Sequence, residues 1–254
     1  MTMPTTLDLA AQLALAWNSR QPIDARPESG PTSVEQAYAV QQAVWHELTH
    51  QSRPTAWKAG APDRQTMATA AAVLPLRIVK SSLQRPAQFP AALLRRLGIE
   101  AEIAVCFGRD LPLRAEPYRH EEILAAIASV HVAMELVDTR LNDPEKAGPL
   151  WRLADSLVNG GLVLGEAIPN WRKLDFSGLT VRIHSNANCL VETLGRPPLD
   201  DLFFCLPWWI EHVCGARTGD IVTTGAWNGV HWVDMPAKVT VEFSGLDSVS
   251  AHIE

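Results

Sequence analysis

The sequence predicts an α+β fold, with a helix-bearing layer over roughly the first 80 residues and a curved, largely mixed sheet after it. Three observations carry this. Two stretches before residue 50 repeat their apolar residues at helical spacing, and beyond residue 97 the dominant pattern becomes alternation. The 18 Pro and 15 Gly among 254 residues place many turns between elements, which argues against a helical bundle. About four or five helices and nine or ten strands can be counted, with no internal repeat and no low-complexity linker.

The first helix is expected from Leu7 to Trp17, with Leu9, Ala10, Leu13, Ala14 and Trp17 on its apolar face and Thr6 as cap. Residues 18–31 read as a loop. Ser33 and Gln36 then form a capping-box pattern, and Val34, Ala37, Tyr38, Gln41, Trp45 and Leu48 line one face of a second helix. Ala56-Trp57-Lys58-Ala59-Gly60 is a short strand whose lysine, read alone, is a snorkelling surface residue. Pro75, Pro86 and Pro90 break the next apolar stretch into short strands and loops.

Glu100 to Phe107 is the central strand. It sets Ala101, Ile103, Val105 and Phe107 on one face and Glu100, Glu102 and Ala104 on the other, followed by the turn Gly108-Arg109-Asp110. The two carboxylates then lie side by side, with Cα atoms roughly 6.6 Å apart. Like charges so placed raise each other's pKa unless a cation sits between them. A helix with Ile123, Leu124, Ile127 and Val130 on its buried face is expected next, then a strand from Val132 to Asp138 carrying Glu135. A lone Glu among such apolar neighbours is rarely buried without a partner.

Trp151 to Asp155 is weakly helical, and Asn159-Gly160-Gly161 turns into the strand Leu162-Val163-Leu164. Residues 179–184 and 189–193 alternate around a hairpin turn at 186–188. Leu202 to Val213 reads as a helix that Pro207 must kink or start late. Residues 219–225 give turn, strand and turn. The last clear strand runs from Ala237 to Phe243, with Lys238, Thr240 and Glu242 on its wet side.

Composition excludes several classes. A formal charge of -6 without a basic block leaves no electrostatic footprint for nucleic acid. No apolar run approaches the length of a membrane span. The N-terminus has neither the basic region nor the apolar run of a secretory signal, so a cytoplasmic protein is expected. Cys106, Cys189, Cys205 and Cys214 show no CxxC spacing and read as reduced thiols.

Glu100, Glu102 and Glu135 together form an oxygen-rich set suited to Mg²⁺, Mn²⁺ or Ca²⁺ rather than zinc, since no His or Cys has ligand spacing. Spacing alone equally suits three separate solvated carboxylates.

Several ordered segments resemble the fumarylacetoacetate hydrolase superfamily, in its branch of 2-hydroxypentadienoate (2-keto-4-pentenoate) hydratases and 4-oxalocrotonate decarboxylases. Glu100-Ala101-Glu102-Ile103-Ala104 with Gly108-Arg109-Asp110-Leu111 is similar to that branch's E-x-E-I-A-F-x-x-G-R-D-L. Residues 37–41 resemble A-Y-x-x-Q, Trp57-Lys58-Ala59-Gly60 resembles Y-K-I-G, residues 134–140 resemble L-E-I-V-D-S-R, and residues 219–225 resemble G-D-I-V-L-T-G. The resemblance implies a small N-terminal α/β part over residues 1–80 and a metal-binding mixed β-roll over 81–254. It also implies one Mg²⁺ or Mn²⁺ on Glu100, Glu102 and Glu135, and Lys58 beside a small 2-oxo acid or its enol. Asp155, at the Asp of A-D-N, becomes a catalytic candidate, and Asp138 a group behind the third ligand. A homo-oligomer is implied, able to associate with a sister decarboxylase or hydratase, in the catabolism of aromatic hydrocarbons.

The departures fall on polar groups. Ala61, Val158 and Ala226 stand where the branch carries hydroxyls, and Ser156 follows Asp155 in place of Asn. With apolar residues there, acidic Asp63 nearby, and Trp57 or Trp227 available to an alkyl tail, the expected reaction is hydration of a mono-acid such as 2-hydroxypenta-2,4-dienoate. The alternatives are decarboxylation of 2-oxo-3-hexenedioate and a catalytically weakened relative acting as a companion subunit. Carbon–carbon hydrolysis ranks third, for want of a suitable His.

Overall fold

A computed structural model describes residues 4–254. Helix α1 (Thr6–Ser19) starts one residue earlier than expected. Thr5, not Thr6, is its cap, because Asp8 lies where it can return the hydrogen bond: Thr5 Oγ1 accepts from Asp8 N, and the Asp8 carboxylate accepts from Thr5 N. In α2 (Val34–Thr49) Ser33 Oγ accepts from Gln36 N as expected, while the Gln36 side chain accepts from Thr32 N and Oγ1 instead. Ala37, Val40, Val44 and Trp45 form its buried stripe, and Val34 lies outside it. These helices share a core with Leu141, Ala147, Trp151 and Leu153.

Strands β1 (Ala56–Gly60), β2 (Thr69–Ala72), β3 (Ile78–Lys80) and β4 (Ala87–Phe89) follow, then β5 (Leu97–Phe107) and β6 (Leu111–Pro112). Helix α3 (His120–Ala126) runs directly into β7 (Ile127–Val137). The expected extension of this helix through Ile127 and Val130 is therefore corrected: those β-branched residues pair with Phe107 and Val105 of β5. Short helices α4 (Pro144–Ala147) and α5 (Pro149–Ala154) precede β8 (Asn159–Ala167), and β9 (Thr180–Ser185) and β10 (Asn188–Leu194) form the expected hairpin. Helix α6 (Leu206–His212) carries Pro207 in its first turn and so starts late. The chain ends with β11 (Gly215–Ala216), β12 (Ile221–Thr223), β13 (His231–Val233), β14 (Ala237–Phe243) and β15 (Val249–Ile253). Most strands beyond the expected number are segments of two or three residues.

One sheet has the order β2-β1-β12-β5-β7-β8-β3, with β13 on the first half of β5; a second has the order β10-β9-β14-β15-β4. Pairs β1/β12, β3/β8 and β4/β15 are parallel and the remainder antiparallel, so the sheets are mixed and curl around one core. Ile99, Ile103, Val105, Met134 and Leu136 meet Val181, Ile183, Val239, Val241 and Phe243 there. The fold is α+β, helices against a curled mixed sheet, and β5 and β7 at its centre carry all three candidate carboxylates on the face turned away from that core.

Candidate metal and substrate site

Register brings the carboxylates together. Glu100 pairs directly with Glu135 across β5 and β7, and Glu102 is two residues along the same face of β5. One oxygen from each of Glu100, Glu102 and Glu135 falls within 4.8 Å of the others. The cation that the sequence required is Lys58. Strand β1 reaches the site through β12, and Lys58 Nζ lies 2.6 Å from Glu135 Oε1 and 3.7 Å from Glu100 Oε2. It also donates to Leu157 O at 3.3 Å. Lys58 is thus an inward-facing site residue, and the surface reading of it is corrected.

Asn159 Nδ2 donates to Glu135 Oε1 at 2.9 Å, and Gly225 N to Glu102 Oε2 at 2.9 Å. Glu135 Oε2 is buried without a hydrogen-bond partner among the described residues. An unpaired buried carboxylate oxygen costs several kcal/mol unless a cation meets it. An all-oxygen donor set with one such atom therefore fits a hard divalent ion, which Glu100, Glu102 and Glu135 would hold.

Burial pushes the Glu100 carboxyl up, against the pull of Lys58 and with the push of Glu135, to about 7. Burial, with the charges of Glu135 and Glu100, drives Glu102 well above the ordinary range. Burial alone would depress the Lys58 ammonium, but Glu135, Glu100 and Glu102 outweigh it and hold the group above the usual lysine value.

A stability effect follows in the metal-free protein. Glu100 takes up its proton more tightly folded than unfolded, so its contribution is fully present below about pH 4.5 and is lost as pH rises through about 7. The loss is on the order of 3 kcal/mol. Urea unfolding between pH 5 and 8 after chelation is expected to show the decline, and millimolar Mn²⁺ to reverse it at pH 8. A flat metal-free profile would count against the buried cluster.

A cleft of about 620 Å³ opens on this cluster, lined by Lys58, Glu100 and Glu102 and walled by Ala61, Pro62, Leu153, Leu157, Val158, Leu199 and Ala226. Ala61, Val158 and Ala226 do face it, as the sequence reading assumed. Asp63 does not line it: exposed, it caps its own turn by accepting from Gln65 N and Thr66 N. Trp227 is buried edge-on against Phe243, and Trp57 against Trp209. The cleft instead offers a second cation, Arg152, paired to the exposed Glu145 at 2.9 Å.

Asp155 lies behind the cleft. Its carboxylate accepts from Arg140 Nε at 2.6 Å, Thr139 Oγ1 at 2.7 Å and Arg140 N at 3.0 Å. Burial pushes this carboxyl up, and Arg140 opposes the push. It anchors the turn Ser156–Val158, three consecutive non-glycine residues at φ between 51° and 56°, which presents Leu157 O to Lys58. Asp138 accepts from Arg95 N and Arg96 N, tying down the entry to β5 rather than facing the cleft. Sequence reasoning missed Asn159 and Arg152. Asn159 sits in an Asn-Gly-Gly string that reads as a turn; it lies opposite Val137, two residues beyond Glu135, across a register shift that only the paired strands reveal.

Comparisons with known proteins bear on the fold and the family. The chain is 28% identical over 172 residues to 2-keto-4-pentenoate hydratase of Paraburkholderia phymatum, a match covering 64% of this chain and 62% of that protein. The match thus spans less than two thirds of that relative. The 4-oxalocrotonate decarboxylase of Pseudomonas putida G7, complexed with magnesium and adipate, has a similar fold at 20% identity, with a TM-score of 0.81 over 98% of this chain and 97% of that one. Fumarylpyruvate hydrolase of Pseudomonas aeruginosa, in complex with Mn²⁺ and pyruvate, shares the fold at 13% identity, with a TM-score of 0.56 over 78% of this chain and 88% of that one. No described helix is long and apolar enough to cross a membrane. Residues 38–254 match the model for the fumarylacetoacetate (FAA) hydrolase C-terminal family, and the chain belongs to that family.

Proposed function

We propose that the chain is a divalent-metal-dependent lyase acting on a short 2-oxo-enoate or its 2-hydroxy-dienoate enol, with decarboxylation of a dicarboxylate such as 2-oxo-3-hexenedioate as its reaction. The observation that carries the class is the triad of Glu100, Glu102 and Glu135 with Lys58 between two of its members, at an apolar-walled cleft. A bound Mg²⁺ or Mn²⁺ supplies Lewis-acid stabilisation of the charge that a 2-oxo acid develops on its carbonyl oxygen. Lys58, held cationic by its carboxylate neighbours, offsets that charge further. Asn159 and Gly225 N fix Glu135 and Glu102, and Asp155 acts by positioning the turn that meets Lys58. Leu153, Leu157 and Leu199 exclude water from the reacting carbons.

Two observations favour loss of CO₂ over hydration. When the bond to the far carboxylate breaks, its electron pair moves through the double bond to the 2-oxo oxygen, and CO₂ leaves without a base. Hydration needs a base to take a proton from water and an acid to protonate carbon. The cleft has Ala61, Val158 and Ala226 where such hydroxyl relays would stand, and the hydroxyl of Thr224 is already donated to Ile103 O, which leaves Thr69 as the remaining hydroxyl of the lining. The repulsion by Asp63 that favoured a mono-acid falls away, because Asp63 is outside the cleft, while Arg152 adds a charge that attracts a dianion. Hydration is the second reading, supported by the sequence relatives among 2-keto-4-pentenoate hydratases.

Mass spectrometry after incubation with Mg²⁺ and each substrate separates the readings. Loss of CO₂ from 2-oxo-3-hexenedioate is the expected result. A gain of one water by 2-hydroxypentadienoate, with the diacid untouched, would establish the hydratase. No change in either, with Mn²⁺ binding intact, would reject both reactions.

A further inference from the structure

Trp17, on the last turn of α1, is clasped by two buried guanidinium groups. The Arg140 Cζ lies 3.7 Å and the Arg77 Cζ 4.4 Å from its ring centroid. Two like charges against one side chain repel, and burial together with Arg140 lowers the Arg77 pKa to about 10. The electron-rich faces of the indole offset part of that repulsion.

Both arginines end on the backbone behind the carboxylate site. Arg140 donates from Nη1 to Asn159 O at 2.9 Å, from Nη2 to Asp155 O at 2.9 Å and from Nε to Asp155 Oδ1 at 2.6 Å. Arg77 Nη1 donates to Gly160 O at 3.0 Å. The residues so fixed are the ones that touch the site: Asn159 holds Glu135 Oε1, and the turn after Asp155 delivers Leu157 O to Lys58. The path is continuous through hydrogen bonds and ring contacts, with no apolar gap.

We propose that Trp17 is a positioning residue for the Glu135–Lys58 pair, acting through Arg140 and Arg77 on Asn159 and the 155–158 turn. This rests on the reading of Glu135 as a metal ligand. The helical layer then does more than cover the sheet: it sets how well the triad is preformed. Removing the indole frees Arg77 to swing toward the neighbouring groove of about 490 Å³, which Trp17 and Arg77 both line. Gly160 O would lose its fixed donor as Arg77 moves, and Arg140, which holds Asn159 O, would lose its ring contact.

Three variants test this: Trp17→Leu removes the ring, Trp17→Phe keeps a π face, and Leu13→Ala weakens the same helix from a core position one turn earlier. Mn²⁺ titration of folded protein, followed by paramagnetic resonance, is expected to show about 10-fold weaker binding for Trp17→Leu, the size of effect typical when a group behind a ligand is lost. Trp17→Phe should recover most of it, and Leu13→Ala should bind as the parent does despite a lower Tm. In metal-free protein, amide exchange at residues 157–160 should accelerate in Trp17→Leu alone. Equal Mn²⁺ affinity in Trp17→Leu and parent, or equal weakening in Leu13→Ala, would overturn the proposal. If the parent itself binds no Mn²⁺, the metal reading fails, and the exchange pattern alone decides: acceleration confined to 157–160 upholds the positioning role, uniform acceleration rejects it.

Discussion

Glu102→Gln is expected to weaken Mn²⁺ binding by more than about 100-fold, since groups merely behind a ligand already cost 10- to 100-fold. The same change should make the metal-free protein more stable at pH 8. Glu102 is buried beside Glu135 and Glu100, and burial with their charges opposes its ionisation. Gln keeps the volume, and its amide oxygen can still accept from Gly225 N as Glu102 Oε2 does. Relief of one buried like charge on the order of 1–2 kcal/mol would raise Tm by roughly 2–8 °C in a chain of this size. Calorimetry of chelated parent and variant, with isothermal titration of Mn²⁺ into each, gives both signs in one experiment. A variant that binds the ion like the parent would remove Glu102 from the ligand set. One that loses binding and also stability would point to a folding defect.

Lys58→Met gives the opposite pair of signs in the metal-free protein. The stem volume is kept, but Glu135 loses its 2.6 Å ion pair and Glu100 its 3.7 Å neighbour. Removing one member of a buried pair costs about 3–5 kcal/mol, because the remaining charge stays buried without compensation. The chelated variant should therefore unfold more easily than the parent at pH 8. The gap should narrow toward pH 5, where Glu100 is protonated even in the folded parent. Saturating Mn²⁺ should restore much of the stability, since the ion replaces the lost positive charge. Turnover is expected to remain about 10²- to 10⁴-fold down even when the ion is bound, as for removal of a group that stabilises developing charge. Restored turnover in the Mn²⁺-loaded variant would reduce Lys58 to a counter-ion of the empty triad.

These opposite signs express how the site is built. The three glutamates of the triad are held by two strands of one sheet, and their repulsion is a cost carried by the β5–β7 pairing and by Lys58. A divalent ion held there would remove the cost.

Local patterns along the chain are enough to place most of the elements and to pair two of the carboxylates. Alternation at residues 100–107 assigned Glu100 and Glu102 to one face, and the ordered motifs from residue 37 to residue 225 supplied Lys58 and Glu135. These are local properties: strand period, cap chemistry at Ser33, and proline in the first turn of α6. Helix α3 was overextended because Ile127 and Val130 also satisfy helical spacing, and only pairing with β5 settles which period governs. The remainder depends on packing between distant segments. Whether Lys58 faces solvent or the triad depends on β1 lying beside β12, a contact between segments more than 160 residues apart. Asp63 and Trp227 looked like cleft residues from their motif neighbours, but a turn and a core contact took them elsewhere. Arg152, Leu157 O and Asn159 entered the site from α5, the strained turn after it and the first residue of β8, where no periodicity marks them. Strand and helix periods are written in neighbouring residues, whereas a carboxylate's partner is chosen by which distant backbone the packed core brings alongside it.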